Sequence, residues 1–207
     1  TFGSEYSKPL VENPDYGLVG SPSTVESSIS VASVNNTVLT EEVMEVRGLE
    51  KNDKLLNGHF GYSMGETNAT FEKGKEYEYV HVGLGREEDF AGKDLTGKLA
   101  LIQRGSFTFA EKVRNAISHG AVGALIYNNV DGANLTMSLD SESKKVPSAF
   151  ISKEYGEALA AGNYKVAFNG LKVNRPHPGA DSLSDFSSWG VTTDGLLKPD
   201  VTAPGGD

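Results

Sequence analysis

The segment 97–129, GKLALIQRGSFTFAEKVRNAISHGAVGALIYNN, limits the possible folds of this chain more than any other. Residues 98–103 are mostly apolar and end at Arg104 and Gly105, a pattern typical of a buried strand that closes in a turn. A second apolar run, residues 121–127, follows a stretch with helical periodicity. A strand, a helix and a strand in this order predict a β-loop-α-β crossover whose two strands are parallel neighbours with a right-handed connection.

The helix of this unit has a defined start and end in the sequence. Thr108 and Glu111 have the T-x-x-E spacing of a capping box, and Gly120 is well placed to end the helix. Between them, apolar residues recur at helical spacing on one face and polar residues occupy the other. The apolar face holds Phe109, Val113, Ala116 and Ile117; the polar face holds Glu111, Lys112, Arg114, Asn115 and Ser118.

The remaining elements are predicted from shorter patterns. Apolar and β-branched runs indicate strands at residues 27–34, 37–47, 145–152 and 164–169. The alternating run KEYEYVHV predicts one exposed antiparallel strand at 75–82. Short helices are expected at 87–92, with Phe90 buried, and at 153–161, whereas 49–74 is expected to be loop and irregular strand and 171–180 a linker.

Composition excludes several classes of function. The 207 residues fit one large or two small domains, and 19 basic against 28 acidic residues give a net charge of −9, which argues against a nucleic-acid or anionic-membrane partner. The absence of cysteine excludes disulfides, thiolate chemistry and cysteine-based zinc sites. The sequence has no apolar run that could span a bilayer. Because it lacks an initiator methionine and stops inside an apparent motif, we expect a piece of a longer polypeptide.

No catalytic set is recognisable in the sequence. An acyl-transfer site needs a nucleophile, a base within reach and donors for the oxyanion. The four histidines lie in unlike contexts without a spacing typical of a metal site or a triad: His59, His81, His119 and His177. A structural role is favoured for His81, and His119 is expected to interact with the helix dipole. We therefore expect no catalytic, cofactor-binding or metal-binding residue in this chain.

Two weaker motifs are also interpreted structurally. The acidic clusters 87–89 and 140–142 offer oxygen ligands for calcium but lack the spacing of an EF-hand, so solvated surface is favoured. The G-x-G at Gly83 and Gly85 lacks the rest of a dinucleotide fingerprint and predicts a turn.

The central block resembles the protease-associated domain. Residues 89–129 are similar to that family in the G-K-[IL]-A-L-I-x-R-G strand and loop, in the F-x-x-K helix and in the A-G-A-x-G-x-[IL]-I-Y-N-N strand. The strand VPSAFIS at 146–152 completes the pattern, and His119 stands where the family usually has alanine. The resemblance covers roughly residues 36–174 and implies a mixed α/β fold, with a curved or barrel-like β-sheet and a few short flanking helices.

Both flanks resemble a different family. FSSWG at 186–190 and LKPDVTAPG at 197–205 look like the block that precedes the nucleophile in subtilisin-like serine proteases, and residues 13–33 resemble the segment after the oxyanion asparagine. The most similar group is the cell-envelope proteinases of Gram-positive bacteria, lactocepin and C5a-peptidase-like, in which a protease-associated domain lies between these blocks. The resemblance divides the chain into a catalytic-domain flank at 1–35, the protease-associated domain at 36–174 and a second flank at 175–207.

The resemblance has consequences for function. The family's Asp, His and Asn precede this chain and its Ser follows, so no catalytic residue is expected here and the substrate-binding residues stay unknown. It implies a secreted, cell-wall-attached parent that cleaves peptide bonds through an acyl-enzyme, with calcium in the parent left open. The implied partners are protein or peptide substrates and the remaining catalytic domain. The insert would restrict which substrates reach the active site of that domain and would help to bind them. Residues 186–190 are expected to support the parent's active site by shape.

An alternative from another class stays open. Protease-associated domains also occur in receptors and in zinc aminopeptidases, so the chain could be a stand-alone module that binds proteins or peptides without protease activity. The F-S-S-W-G and A-P-G flanks discriminate between the two hypotheses, because an interaction module does not need them.

Overall fold

The computed structural model describes residues 19–49, 57–65, 69–132, 134–177 and 179–206. Two compact units divide the chain: a larger one formed by Glu41–Val173 and a smaller one formed by the described residues on both sides of it. Within the described residues, no helix is both long enough and apolar enough to cross a bilayer.

The described elements are short and mostly β. The strands are β1 (Val31–Asn35), β2 (Val38–Arg47), β3 (His59–Met64), β4 (Glu76–Tyr77), β5 (Tyr79–His81), β6 (Leu99–Gln103), β7 (Gly123–Tyr127), β8 (Ser148–Ile151), β9 (Lys165–Pro176), β10 (Gly190–Val191), β11 (Leu197–Lys198) and β12 (Val201–Gly206). The helices are α1 (Phe109–Ser118) and α2 (Lys153–Ala160), with 3-10 turns at Glu87–Phe90 and Ser143–Lys145.

One eight-stranded sheet organises the larger unit, in the order β4-β9-β2-β3-β8-β7-β6-β5. Strands β5 to β8 form a parallel half, and β3 joins it through an antiparallel pair with β8. The two outermost strands, β4 and β5, are consecutive in the chain with only Glu78 between them. One short segment therefore supplies both edges, which requires a strongly curved sheet and confirms the predicted mixed α/β, barrel-like fold.

The predicted crossover is present. Strands β6 and β7 are parallel neighbours, with Leu99 opposite Gly123 at the start of the pair. The capping box also forms: the Thr108 hydroxyl accepts the Glu111 N–H at 3.2 Å, and the Glu111 carboxylate accepts the Thr108 N–H at 2.8 Å. Gly120 follows the helix with φ +86°, a conformation that disfavours side chains and ends α1 as expected.

Apolar side chains of the parallel half pack on both faces of the sheet. Leu99 and Leu101 belong to one buried cluster, and Ala100 and Ile102 to another, as the period of two in a strand requires. Helix α1 covers the second cluster and α2 the first. Burying each large aliphatic side chain stabilises the fold by about 1.5–3 kcal/mol relative to exposure, so these two clusters fix the scaffold.

Three predictions about the larger unit were wrong. Residues 75–82 form β4 and β5 rather than one antiparallel strand, and β5 pairs in parallel with β6. Residues 171–176 continue β9 instead of forming a linker. In the region predicted as loop and irregular strand, 59–64 form a regular strand, β3, while 50–56 and 66–68 lie outside the described residues. The local sequence patterns are compatible with several strand pairings, and the hydrogen bonds to neighbouring strands determine which one forms.

In the smaller unit, segments from both ends of the described chain form a sheet. Strands β1 and β12 pair in parallel, from Val31 opposite Val201 to Asn35 opposite Gly206. A separate hairpin joins β10 and β11. Parallel neighbours require a crossover connection, and here that connection contains the whole of Glu41–Val173. The larger unit is thus inserted in the smaller one along the sequence. Residues 13–18 of the N-terminal motif lie outside the described residues.

Candidate functional site

The K-P-D motif of the smaller unit, residues 198–200, connects two of its strands by hydrogen bonds. Lys198, only 5% exposed, donates from Nζ to the Ser28 carbonyl at 2.8 Å and to the Asp200 carboxylate at 2.7 Å. The same carboxylate accepts the Ser30 N–H at 2.8 Å. Its hydrogen bonds from Lys198 and then Ser30 lower the pKa of Asp200. The motif therefore ties the entry of β1 to the entry of β12.

The F-S-S motif has a similar role at the other end of the β1 strand. The Ser187 hydroxyl accepts the Ser33 N–H at 2.9 Å. Ser184 donates to the Asn35 side-chain oxygen at 2.9 Å, and its hydroxyl lies 2.9 Å from that of Ser33. These contacts satisfy polar groups along one edge of β1. Through them the segment around the motif is attached to β1.

In the larger unit, a groove opens at the carboxyl end of β6. It has a volume of about 520 Å³ and is lined by residues 104–109 and Ser138. Carboxyl ends of parallel strands are a common place for ligand sites in α/β sheets. Arg104 is fixed there by its N–H, which donates to the Tyr127 carbonyl at 2.8 Å, and by Nη1, which donates to Asn128 Oδ1 at 3.0 Å. The groove thus has a positioned cation on one side.

A strained turn presents an aromatic ring beside this groove. The Phe107 N–H donates to the Gly105 carbonyl at 2.7 Å, across Ser106 at φ +60°. An i to i+2 hydrogen bond around a residue with positive φ defines the rarer γ-turn. Phe107 is 40% exposed on this turn. An exposed aromatic ring held on a tight turn fits contact with another polypeptide.

Next to this ring lies Lys112, which belongs to the predicted polar face of α1. Lys112 is completely buried because the loop after β5 covers this side of α1. Its Nζ donates to the Leu84 carbonyl and lies 5.6 Å from the Phe107 ring centroid. Asn115 donates to the Gly85 carbonyl at 2.9 Å. The two polar side chains fasten the loop to the helix, and burial lowers the pKa of Lys112 to about 8.

The buried ammonium predicts a pH-dependent stability. Between about pH 8 and the ordinary lysine value of 10.5, the unfolded chain binds more protons at this position than the folded chain, so stability should rise with pH through that window. We expect the unfolding free energy of the wild type, relative to Lys112→Met, to increase by on the order of 2–3 kcal/mol from pH 7.5 to 10.5. Urea unfolding at each pH measures it.

Three histidines contact neighbouring residues of the fold. His81 Nε2 lies 3.1 Å from the Tyr127 hydroxyl, and burial, followed by the charge of Lys93, lowers the pKa of His81. His177 Nδ1 accepts the Gly179 N–H at 2.9 Å. His119 occupies the C-cap of α1, where it stacks on Phe90 with ring centroids 4.3 Å apart.

One arrangement around His119 has the composition of a triad but not its chemistry. The Ser118 hydroxyl lies 3.2 Å from His119 Nδ1, and His119 Nε2 lies 3.3 Å from the Glu87 carboxylate. However, Nδ1 is 2.8 Å from the Asn115 carbonyl, and the Ser118 hydroxyl donates to that same carbonyl at 2.8 Å. A nitrogen that donates to a carbonyl cannot accept a proton from serine. Ser118, His119 and Asn115 therefore form the hydrogen-bonded C-terminal end of α1 and not a catalytic triad.

The acidic clusters also serve the fold. The Asp89 carboxylate accepts the Arg86 N–H at 2.9 Å, and Asp140 caps the turn at Ser143 while it pairs with Arg114. The described part of the chain holds no group of three or more metal-ligating side chains close enough to bind an ion. Gly83 and Gly85 lie in a turn with φ +51° and +74°.

Comparison with known proteins identifies the larger unit. Residues 70–159 match the PA domain family, and this range contains strands β4 to β8, helix α1 and nearly all of helix α2. The zinc aminopeptidase BSAP from Bacillus subtilis shares this architecture: its structure superposes with a TM-score of 0.51 at 26% identity, over 74% of this chain and 34% of that one.

The similarity to C5a peptidase extends through both flanks. C5a peptidase of Streptococcus pyogenes serotype M1 is 39% identical over 209 residues, which cover 100% of this chain and 17% of the relative. Minor extracellular protease Vpr of Bacillus subtilis is 36% identical over 197 residues, which cover 93% of this chain and 23% of the relative. The chain thus spans less than a quarter of each relative. The predicted resemblances, to the PA domain and to C5a-peptidase-like proteases, are confirmed.

Proposed function

We propose that this chain is the PA-domain region of a secreted subtilisin-like serine endopeptidase of the cell envelope. In this proposal the smaller unit is part of the catalytic domain, and Glu41–Val173 is an insert that controls which protein substrates reach the active site and helps to bind them. The parent hydrolyses peptide bonds through a Ser-His-Asp acyl-enzyme whose residues come from outside this chain. We propose that the parent enzyme is extracellular and attached to the wall of a Gram-positive bacterium.

One observation carries the proposal. Similarity to C5a peptidase extends over the PA domain and both flanks, and the flanks pair as the parallel strands β1 and β12. A stand-alone interaction module would not need two parallel strands from opposite sides of the insert that Lys198 and Asp200 hold together. Parallel strands are normally buried on both faces, whereas Val31 and Val201 are 55% and 51% exposed. Both features fit a fragment of a larger α/β sheet, and the stand-alone alternative is not favoured.

The groove at residues 104–109 supports a role of the insert in substrate binding. It combines the exposed ring of Phe107 with the fixed guanidinium of Arg104, and no described group beside it is arranged for bond cleavage. Aromatic rings and arginine are the side chains that most often dominate protein–protein contacts. A partner peptide is therefore the ligand that this surface fits.

The test removes the insert from the parent enzyme. Thr40 and Asn174 are joined by a hydrogen bond of 2.8 Å between their side chains, so a short glycine-serine linker can replace Glu41–Val173. We expect hydrolysis of a chromogenic tetrapeptide to persist, while kcat/KM for a protein substrate such as casein changes by about tenfold or more, since contacts remote from the scissile bond are lost. Equal effects on both substrates would contradict a substrate-selecting role.

The chain by itself provides the complementary test. Without the catalytic residues it should not hydrolyse casein or a peptide, because binding groups alone do not supply the nucleophile and its base. The control is the intact parent enzyme at the same concentration. Hydrolysis by the 207-residue chain that a serine-directed inhibitor abolished would show that the assignment of its chemistry is wrong.

A further inference from the structure

A second cavity of the larger unit lies on the antiparallel half of the sheet, on strands β9, β2 and β3. Its volume is about 490 Å³, within the range of ordinary ligand pockets. The lining residues are Glu42, Tyr62, Met64, Thr70, Phe71, Glu72, Lys73, Phe168 and Gly170. None of them lines the groove at residues 104–109, so this is a separate site.

The floor of this cavity is aromatic and preformed. Phe71 stacks on Phe168 with ring centroids 3.7 Å apart, and Tyr62 meets Phe168 edge-on at 5.1 Å. The wall that carries Phe71 is tied down further, because the Glu72 N–H donates to the Tyr77 hydroxyl at 3.0 Å. A ligand would therefore meet a surface that is already ordered, which lowers the entropy lost on binding.

A fixed carboxylate stands on this floor. The register that places Val43 opposite Gly61 puts Glu42 directly opposite Tyr62 on the neighbouring strand, close enough for its carboxylate to interact with the Tyr62 hydroxyl. Burial, followed by the charge of Glu42, raises the pKa of Tyr62, so the phenol stays a donor at neutral pH. Among the described residues, Glu42 has no cation within ion-pair distance.

Two further charges stand at the rim. Glu72 is exposed and pairs with Lys75 at 3.3 Å. Lys73 Nζ and Glu42 Oε1 lie 3.5 and 3.8 Å from the position that a Cβ on Gly170 would take, so the lysine approaches the pocket without pairing with Glu42. Lys73 is exposed on a flexible stem and can turn outward, whereas Glu42 is held by Tyr62.

We infer that this cavity binds a basic side chain, lysine or arginine, of a polypeptide partner. The aliphatic stem of such a side chain would lie against Tyr62 and Met64, the partly exposed side chains of the lining, and its charged end would meet the Glu42 carboxylate. Aromatic rings and an unpaired carboxylate are the two groups that attract an organic cation most strongly in a half-buried site. The net charge of −9 attracts basic partners in general. The inference needs no proteolysis and does not depend on the proposed function.

The test measures peptide binding to the 207-residue chain by isothermal titration calorimetry. The probe is a capped, otherwise neutral hexapeptide with a central lysine; its norleucine and glutamate counterparts keep a similar stem without the positive charge. The lysine peptide should bind about tenfold more tightly than the norleucine peptide, since a charge-assisted hydrogen bond is lost. Equal affinity for the two, or tighter binding of the glutamate peptide through Lys73, would overturn the inference.

Variants locate the site. Glu42→Gln keeps a hydrogen-bond acceptor for Tyr62 but removes the charge, and it should weaken lysine-peptide binding about tenfold. Glu42→Asp, which keeps the charge, should bind within about threefold of the wild type. The matched control, Glu78→Gln, removes an exposed carboxylate outside the cavity and should change the affinity less than about twofold. Equal losses in Glu42→Gln and Glu78→Gln, with both proteins folded by circular dichroism, would show that the peptide binds elsewhere.

Discussion

Replacing Phe150 with alanine is expected to destabilise the protein by about 3–5 kcal/mol, the usual range for removing a large aromatic side chain from a closed core. Phe150 is fully buried on β8, and its ring meets Phe109 of α1 edge-on with centroids 5.8 Å apart. In the sheet it stands opposite Ile126 of β7. The substitution would therefore leave a cavity between helix α1 and the sheet, and neither element can easily move to fill it. Urea unfolding followed by circular dichroism measures the change.

Two controls separate the cavity from other effects. Phe150→Leu keeps most of the volume and should cost clearly less than the alanine substitution. Phe107→Ala removes the same kind of ring from an exposed position and should change stability little, because that ring is 40% exposed. A loss below about 1 kcal/mol for Phe150→Ala would mean that α1 does not depend on this contact.

The crossover could be predicted from sequence because its signals are local. The capping box needs only Thr108 and Glu111, three residues apart, and both of its hydrogen bonds form. Strands β6 and β7 are buried on both faces, so their sequences are continuous apolar runs that need no knowledge of a partner. In this segment the capping box and the two strands form as the sequence predicts.

Predictions failed where the outcome depended on distant residues. The run 75–82 alternates as one strand would, yet β4 pairs with β9 and β5 with β6, so the partners split it at Glu78. The burial of Lys112 had the same cause. Its helical position is on the polar face, and only the loop that carries Leu84 turns that face into an interior. No pattern within α1 contains that information.

The candidate sites could be predicted only in part. The sequence predicted no catalytic residue in this chain, and that statement stays a prediction; the described contacts of His81 and His119 are with neighbouring residues of the fold. The cavity around Glu42 was not expected, because its residues come from three strands and a loop that are more than a hundred residues apart at the extremes. The cross-strand pair of Glu42 and Tyr62 would have been the only usable signal, and it needs the register of β2 and β3.

Replacing Gly156 with alanine is expected to destabilise the protein by about 3 kcal/mol or more, against the usual preference for alanine in a helix. A Cβ at this position would lie 2.1 Å from Tyr127 Cγ and 2.2 Å from its Cβ, and these atoms belong to the base of the side chain, next to the strand backbone. Helix α2 therefore depends on a glycine to approach β7 so closely. Alanine would force the helix off the sheet and disturb the contact of Tyr127 with His81.

Thermal and urea unfolding of Gly156→Ala test this expectation beside Glu157→Ala, an exposed neighbour in the same helix that should be nearly neutral. A double variant tests whether the clash with Tyr127 causes the loss of stability. If the clash with Tyr127 is the cause, Gly156→Ala combined with Tyr127→Ala should be less unstable than the sum of the two single changes, by about 1 kcal/mol or more. Strict additivity would mean that the clash with Tyr127 is not the cause of the destabilisation.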